Sequence, residues 1–573
     1  MQTKKTHMLL GIALLLSACS EPPPQPSADT LLTNGRIYTV NQSQPWAEAI
    51  AITNGQITAV GTTEALQALA SDSTETVDLD GAFVMPGIND GHAHPAWGGL
   101  MAHYYCLFPA SAPPEEIADT IESCVAASSP DEKWIQGGLW AATFFDEYEI
   151  DNPRRWLDAI SGDKAIALKD DSGHNYWVNS RALELLGIDG DSAPPPGGVF
   201  GRDSAGELDG VLYETFAMVA DALPPWSVDH YLKGVRFAVT NAHGHGVTGF
   251  KDASASETEL QAYHKADQAG ELKVHVAACM YDTSMEQDEL PLEKFRLWRE
   301  QYASEHLHTN FTKIFLDGIP TMSKTAAVIE PYQKVEEDET DNFGSLHVEQ
   351  NELINWVTEL DAAGFTIKIH AAADRSVHVA LNAIEAARQA SGENQRRHEL
   401  AHAGLISTSD LPRFAQLNVV ADLSPHLWYP SPIISSVREA MGPRGYEYWP
   451  NRSLLESGAP MLVGSDWPSV APDLNPWIGM EAIITRQDPD HAFAGQGWDA
   501  EKLSITQAIR LFTIDGARAL GLQERTGTLE VGKSADLIVL NHNLLEIPAE
   551  QINETQVQMT FFEGELVYTG KDA

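Results

Sequence analysis

Two hydrophobic periodicities divide this chain. Near the N-terminus, short β-branched runs alternate with turn dipeptides. Leu31-Leu32 leads to Asn34-Gly35 and a run at 36–40; a run at 49–53 leads to Asn54-Gly55 and a run at 56–60. Asn-Gly takes the positive φ that tight hairpin turns need, so both pairs read as hairpins. The C-terminus repeats the pattern, with runs at 535–540 and 557–562, then Glu563-Gly564 and a run at 565–568. The simplest arrangement is a small β-sandwich domain made from both chain ends, 31–86 and 515–573. Between them, β-branched runs alternate with longer helical stretches, the pattern of βα units and a parallel sheet. The candidate strands are 83–89, 247–252, 273–280, 312–317, 366–371, 399–402, 419–423 and 461–466. Eight strands over about 400 residues predict an α/β fold, a (β/α)8 TIM-like barrel over 87–514. The gap at 95–245 is too long for one loop and predicts an inserted lid subdomain at 100–240.

The first residues follow a different logic. Lys4 and Lys5 precede an apolar stretch from Met8 to Leu16, too short to span a bilayer but suited to a signal peptide, 1–18. It ends Leu16-Ser17-Ala18-Cys19, which resembles the bacterial lipobox and implies lipidation of Cys19. The proline-rich stretch to residue 30 reads as a tether. The expected location is the cell envelope, lipid-anchored at the outer membrane, with the anchor as the only membrane contact. An ordinary signal peptide cut near Ala18 is the alternative.

Composition narrows the function. The 573 residues are 43% apolar, enough for a sizeable core. Asp and Glu number 81 against 37 Lys and Arg, a formal net charge of −44. Phosphate backbones repel such a chain, so no nucleic-acid partner is expected. Four cysteines do not make a disulfide scaffold. Cys106 and Cys124 can pair in an oxidising compartment, and Cys279, in an apolar run, reads as a buried strand residue.

Barrel enzymes carry their working residues at the C-terminal ends of strands. The first strand runs into Asp90-Gly91-His92-Ala93-His94, and positions two apart in extended chain face the same way. The fourth offers Lys313 and Asp317-Gly318, the fifth His370, the sixth His402 and the eighth Gly464-Ser465-Asp466. Four histidines and an aspartate at such ends form a ligand set suited to Zn²⁺. An ammonium cannot ligate a metal, so Lys313 joins that set only as a carbamate.

The run Met85-Pro86-Gly87-Ile88-Asn89-Asp90-Gly91-His92-Ala93-His94 is similar to the opening motif of the metal-dependent amidohydrolase superfamily. The run from Thr526 to Leu537 resembles its returning β-sandwich segment. Ser172-Gly173-His174 with Trp177-Val178-Asn179-Ser180, the run from Lys313 to Gly318, and Arg397-His398-Glu399-Leu400-Ala401-His402 resemble amidohydrolase family 3, which includes N-substituted formamide deformylases. The resemblance implies two Zn²⁺ ions. His92 and His94 would bind one, His370 and His402 the other, with Lys313 bridging as a CO2-derived carbamate. Asp466 would bind one metal and act as acid and base, and His174 would contact substrate from the lid. Where family members often carry Glu before the sixth-strand His, this chain has Ala401.

The implied activity is hydrolysis of non-peptide carbon–nitrogen bonds in amides, formamides or cyclic amides, with a metal lowering the pKa of water. The partner is a small-molecule substrate. Asp317 is a substrate contact or a turn residue. Trp97, Trp140, Tyr176, Trp177, Trp428, Tyr429 and Trp467 either line an apolar substrate pocket or pack the lid. An esterase, lactonase or deaminase on the same site, and a non-catalytic ligand-binding lipoprotein, are the alternatives. A homodimer stays open.

Overall fold

The computed structural model describes residues 27–141, 143–170, 175–195, 198–213, 215–334, 340–469 and 471–570. The leader, Cys19, most of the tether, and Ser172, Gly173 and His174 lie outside them.

Eight strands form one sheet: β1 (Ile88–Ala93), β2 (Val247–Ala255), β3 (His275–Met280), β4 (Leu307–Phe315), β5 (Thr366–Ala371), β6 (Glu399–His402), β7 (Val420–Leu423) and β8 (Met461–Val463). They lie side by side in chain order, and every neighbouring pair is parallel. Asp466 N donates to His92 O at 2.8 Å across the remaining gap, so the barrel is nearly closed. Helices cover its outer face. Val228–Gly244 buries Leu232, Val235, Ala238, Val239 and Ala242, the one-sided stripe a covering helix needs.

The 83–89 run is not one barrel strand. Phe83–Pro86 pairs with Arg36–Tyr38 and with Leu537–Leu540, and β1 begins at Ile88. Pro86 has no N–H to continue a ladder, and the Gly87 N–H goes to Asp536 O at 3.0 Å. The chain changes sheets at that point. The eighth strand ends at Val463 rather than 466, and Asp466 lies beyond it with a turn-type φ of 59°.

The chain ends meet outside the barrel. A six-stranded sheet runs Glu565–Thr569, Val557–Phe562, Leu537–Leu540, Phe83–Pro86, Arg36–Tyr38, Trp46–Ala47. A four-stranded sheet runs Gln56–Gly61, Ala49–Thr53, Thr30–Thr33, Glu75–Asp78. Leu32, Ile50 and Ile57 of the smaller sheet share one apolar cluster with Ile37, Val84 and Val539 of the larger.

Between β1 and β2 the chain builds another six-stranded sheet, from Cys106–Leu107 to Leu208–Tyr213 and Val199–Arg202, with two apolar clusters of its own. A disulfide joins Cys106 to Cys124 there. Cys279 is a buried free thiol in β3. Among the described residues no helix is long and apolar enough to cross a membrane.

Candidate metal centre

β1 delivers His92 into the barrel mouth with no exposed surface, and His94 follows at the head of helix Pro95–Tyr104. Asp466 comes from the turn after β8. Its Oδ1 lies 3.5 Å from His92 Nε2 and 3.5 Å from His94 Nε2. One donor atom from each of the three falls within 4.8 Å of the others. Asp90 ties the two strand ends together, its carboxylate accepting from His92 N and Ser465 N, each at 3.1 Å. Burial lifts the Asp90 carboxyl to about 6.

The charges suit metal binding. Burial, with the nearby Lys368 and Lys313 ammoniums, holds His92 well below the usual histidine range. Burial does the same for His402. Neutral imidazole is the form that ligates. Burial alone would raise the Asp466 carboxyl, but the facing rings of His94, His402 and His92 hold it well below the usual carboxylate range. His92 Nε2 is buried and has no hydrogen-bond partner among the described residues, although its other nitrogen is engaged. A lone pair left bare beside a second imidazole and a carboxylate fits a divalent cation with N/O preference.

That other nitrogen leads into the barrel interior. His92 Nδ1 lies 2.7 Å from Asp422 Oδ2 on β7. Asp422 also takes a hydrogen bond from Lys368 of β5. Lys368 lies 2.9 Å from Glu399 of β6, and Glu399 accepts from Lys251 of β2, whose ammonium also donates to Ala519 O at 2.7 Å. All four side chains are 0–1% exposed. Burial works against the Lys368 charge, but Asp422 and Glu399 outweigh it and hold the ammonium above its ordinary value. The sequence reading missed these four residues. A sequence signal existed only at Lys368 and Asp422, single charges inside largely apolar strand runs; Lys251 stands beside Asp252, and Glu399 opens its strand after Arg396-Arg397-His398. Asp422 sits opposite Ala401 in register, so β7 supplies a carboxylate beside the position where the resemblance expects Glu.

The remaining predicted residues sit around this core. His402 lies between His92 and His370, its ring tilted against the first and edge-on to the second, with centroids 4.9 and 4.7 Å away. His370 Nε2 donates to Gly318 O at 3.0 Å. His370 and His402 do not join the three-residue cluster of His92, His94 and Asp466. Lys313 is buried, its ammonium 4.6 Å over the Phe315 ring. Asp317 accepts from Ala327 N and Ala372 N, both at 3.0 Å, and so fastens the loops after β4 and β5. Trp97 meets the His94 ring edge-on at 6.4 Å, and Lys169 of the inserted sheet lies 4.8 Å over Trp97. Trp140 and Trp177 are buried in the inserted sheet's own cluster, so they pack that unit. His174 lies outside the described residues.

A model of the amidohydrolase family matches residues 75–568. The chain is 29% identical over 566 residues to Protein LONG AFTER FAR-RED 3 of Arabidopsis thaliana, covering 96% of this chain and 93% of that one. It is 25% identical over 556 residues to N-substituted formamide deformylase of Arthrobacter pascens, covering 94% and 98%. An uncharacterised metal-dependent hydrolase from Pyrococcus horikoshii has the same fold, with a TM-score of 0.72 at 24% identity, covering 91% of this chain and 99% of that one. The family match spans most of the chain and includes every residue of the cluster at the barrel mouth, and the chain belongs to the amidohydrolase family.

Proposed function

We propose that this protein is a metal-dependent hydrolase of carbon–nitrogen bonds in amides, formamides or cyclic amides. The observation that carries this is the convergence of His92, His94 and Asp466 within 4.8 Å, with His92 Nε2 bare and its Nδ1 engaged by Asp422. Family membership and the resemblance to a formamide deformylase support the bond type. A divalent metal held there supplies a Lewis acid and brings water towards ionisation at neutral pH.

The chain's own groups do the rest. His92 presents a neutral nitrogen, and Asp466, anionic at neutral pH, faces both His92 and His94. As water adds to the substrate carbonyl carbon, the Asp466 carboxylate takes the water proton. It returns that proton to the leaving nitrogen as the C–N bond breaks. Trp97, against the His94 ring, is placed to flank the substrate, and we assign His174 a contact from the inserted unit, which acts as the lid.

We further propose two zinc ions, the second held by His370 and His402. Burial, then Lys368, lowers the Lys313 ammonium to about 8, which favours the amine that reacts with CO2. That reaction forms an N–C bond, releases a proton and yields a carbamate able to bridge two metals. The two sheets at the chain ends make up the β-sandwich domain, and Cys19 anchors the protein in the outer membrane.

Elemental analysis of protein purified without chelators tests the reading. About two zinc equivalents, reduced in His92→Ala/His94→Ala, are expected. Asp466→Asn should then lose turnover on an amide and formamide panel. No metal in the unaltered protein, even after zinc and bicarbonate, would overturn the hydrolase and favour a ligand-binding lipoprotein.

A further inference from the structure

The interior of a barrel of this kind is ordinarily filled by layers of branched apolar side chains. Here its middle holds a line of four buried charges, Lys251, Glu399, Lys368 and Asp422, of alternating sign and drawn from β2, β6, β5 and β7. The line ends on a ligand of the candidate metal centre, through His92 Nδ1 and Asp422 Oδ2 at 2.7 Å. Buried ion pairs are poor stabilisers, because desolvation offsets most of their attraction. Stability alone is therefore a weak account of a four-member chain aimed at one imidazole.

We propose that Lys368 is a positioning residue for metal binding, fixing the ring orientation and tautomer of His92 through Asp422. The inference rests on the metal site proposed above. Lys368 acts on β1 twice. It pairs with the carboxylate that faces His92 Nδ1, and it donates to the carbonyl of Gly91, the residue before His92, at 3.2 Å. A carboxylate only accepts, so Asp422 keeps the imidazole proton on Nδ1 and the lone pair on Nε2. Glu399 and Lys251 hold Lys368 from behind, with Lys251 anchored on Ala519 O. An apolar residue at 368 would leave Asp422 buried with His92 alone, free to rotate, and the His92 ring without a fixed acceptor.

The test compares the unaltered full-length chain with Lys368→Met, Lys368→Arg, Asp422→Asn and His92→Ala. Zinc affinity is measured by chelator competition, the ligand field by the cobalt(II) absorption spectrum, and metal-free stability by thermal unfolding. Lys368→Met should bind zinc about 10- to 100-fold more weakly, with an altered cobalt spectrum. Lys368→Arg should recover most of the affinity. Asp422→Asn should weaken binding as Lys368→Met does; if Lys368→Met fails to fold, Asp422→Asn and Lys368→Arg decide the matter. Unchanged zinc affinity and cobalt spectra in Lys368→Met and Asp422→Asn, with binding lost in His92→Ala, would overturn the inference alone. No zinc bound by the unaltered chain would instead overturn the metal site on which it rests.

Discussion

At Gly464 the backbone after β8 comes so close to β1 that a Cβ would lie 2.3 Å from His92 N and 2.5 Å from His92 O. Across the seam, a Cβ on Gly91 would lie 2.6 Å from Leu462 Cδ1. These glycines let the two strand ends meet, which sets Asp466 beside His92. Gly464→Ala must push the strands apart, and its cost is that of overpacking, about 1–3 kcal/mol. The expected outcome is a lower denaturation midpoint together with reduced zinc content. An alanine variant with native zinc content and midpoint would show that the seam tolerates the methyl.

At the scale of elements, β6 is held in place by a charge cluster at the end of helix Gln350–Ala362. Asp361 accepts from Arg396 at 2.6 Å and His398 at 3.1 Å, just before β6 begins at Glu399. Burial raises its carboxyl, but His398, Arg396 and Arg388 outweigh that and bring it to about 2, from an ordinary 3.8. A depressed carboxyl stabilises the fold above its unfolded pKa, and that stability is lost as pH falls through the folded one. Asp361→Asn should therefore be less stable near neutral pH by about 2 kcal/mol, the gap closing as pH falls from about 4 towards 2. Denaturant unfolding across that range measures it. A gap that persists unchanged at the acid end would mean the charge of Asp361 contributes nothing.

At the scale of the whole molecule, the net charge of −44 acts as self-repulsion. Many surface carboxylates are paired, as Glu546 is with Arg36 at 2.5 Å, but acidic groups outnumber basic ones by more than two to one. Raising salt from about 10 mM to about 0.5 M shortens the screening length several-fold. The melting temperature should rise by a few degrees, with the gain levelling off once the screening length falls below the spacing of surface charges. A fall in melting temperature over that range would mean that paired surface charges outweigh the excess.

Much of the architecture was legible in the chain because it rests on local signals. Runs of β-branched residues bounded by turns place seven of the barrel strands within a few residues, and β5 and β6 at their observed ends. The His-x-His pair and Gly464-Ser465-Asp466 read as polar strand ends within a wider ligand set, and only the fold groups His92, His94 and Asp466 apart from His370 and His402. Tertiary structure decided the rest. The run 83–89 read as one strand, and only the partners on either side of Gly87 assign its two parts to different sheets. Asp317 and the aromatics gave no sign of whether they faced substrate or packing, because that depends on loops from distant parts of the chain. The charge line from Lys251 to Asp422 joins strands as much as 171 positions apart in sequence, and a buried charge shows its purpose only when its partner is in view.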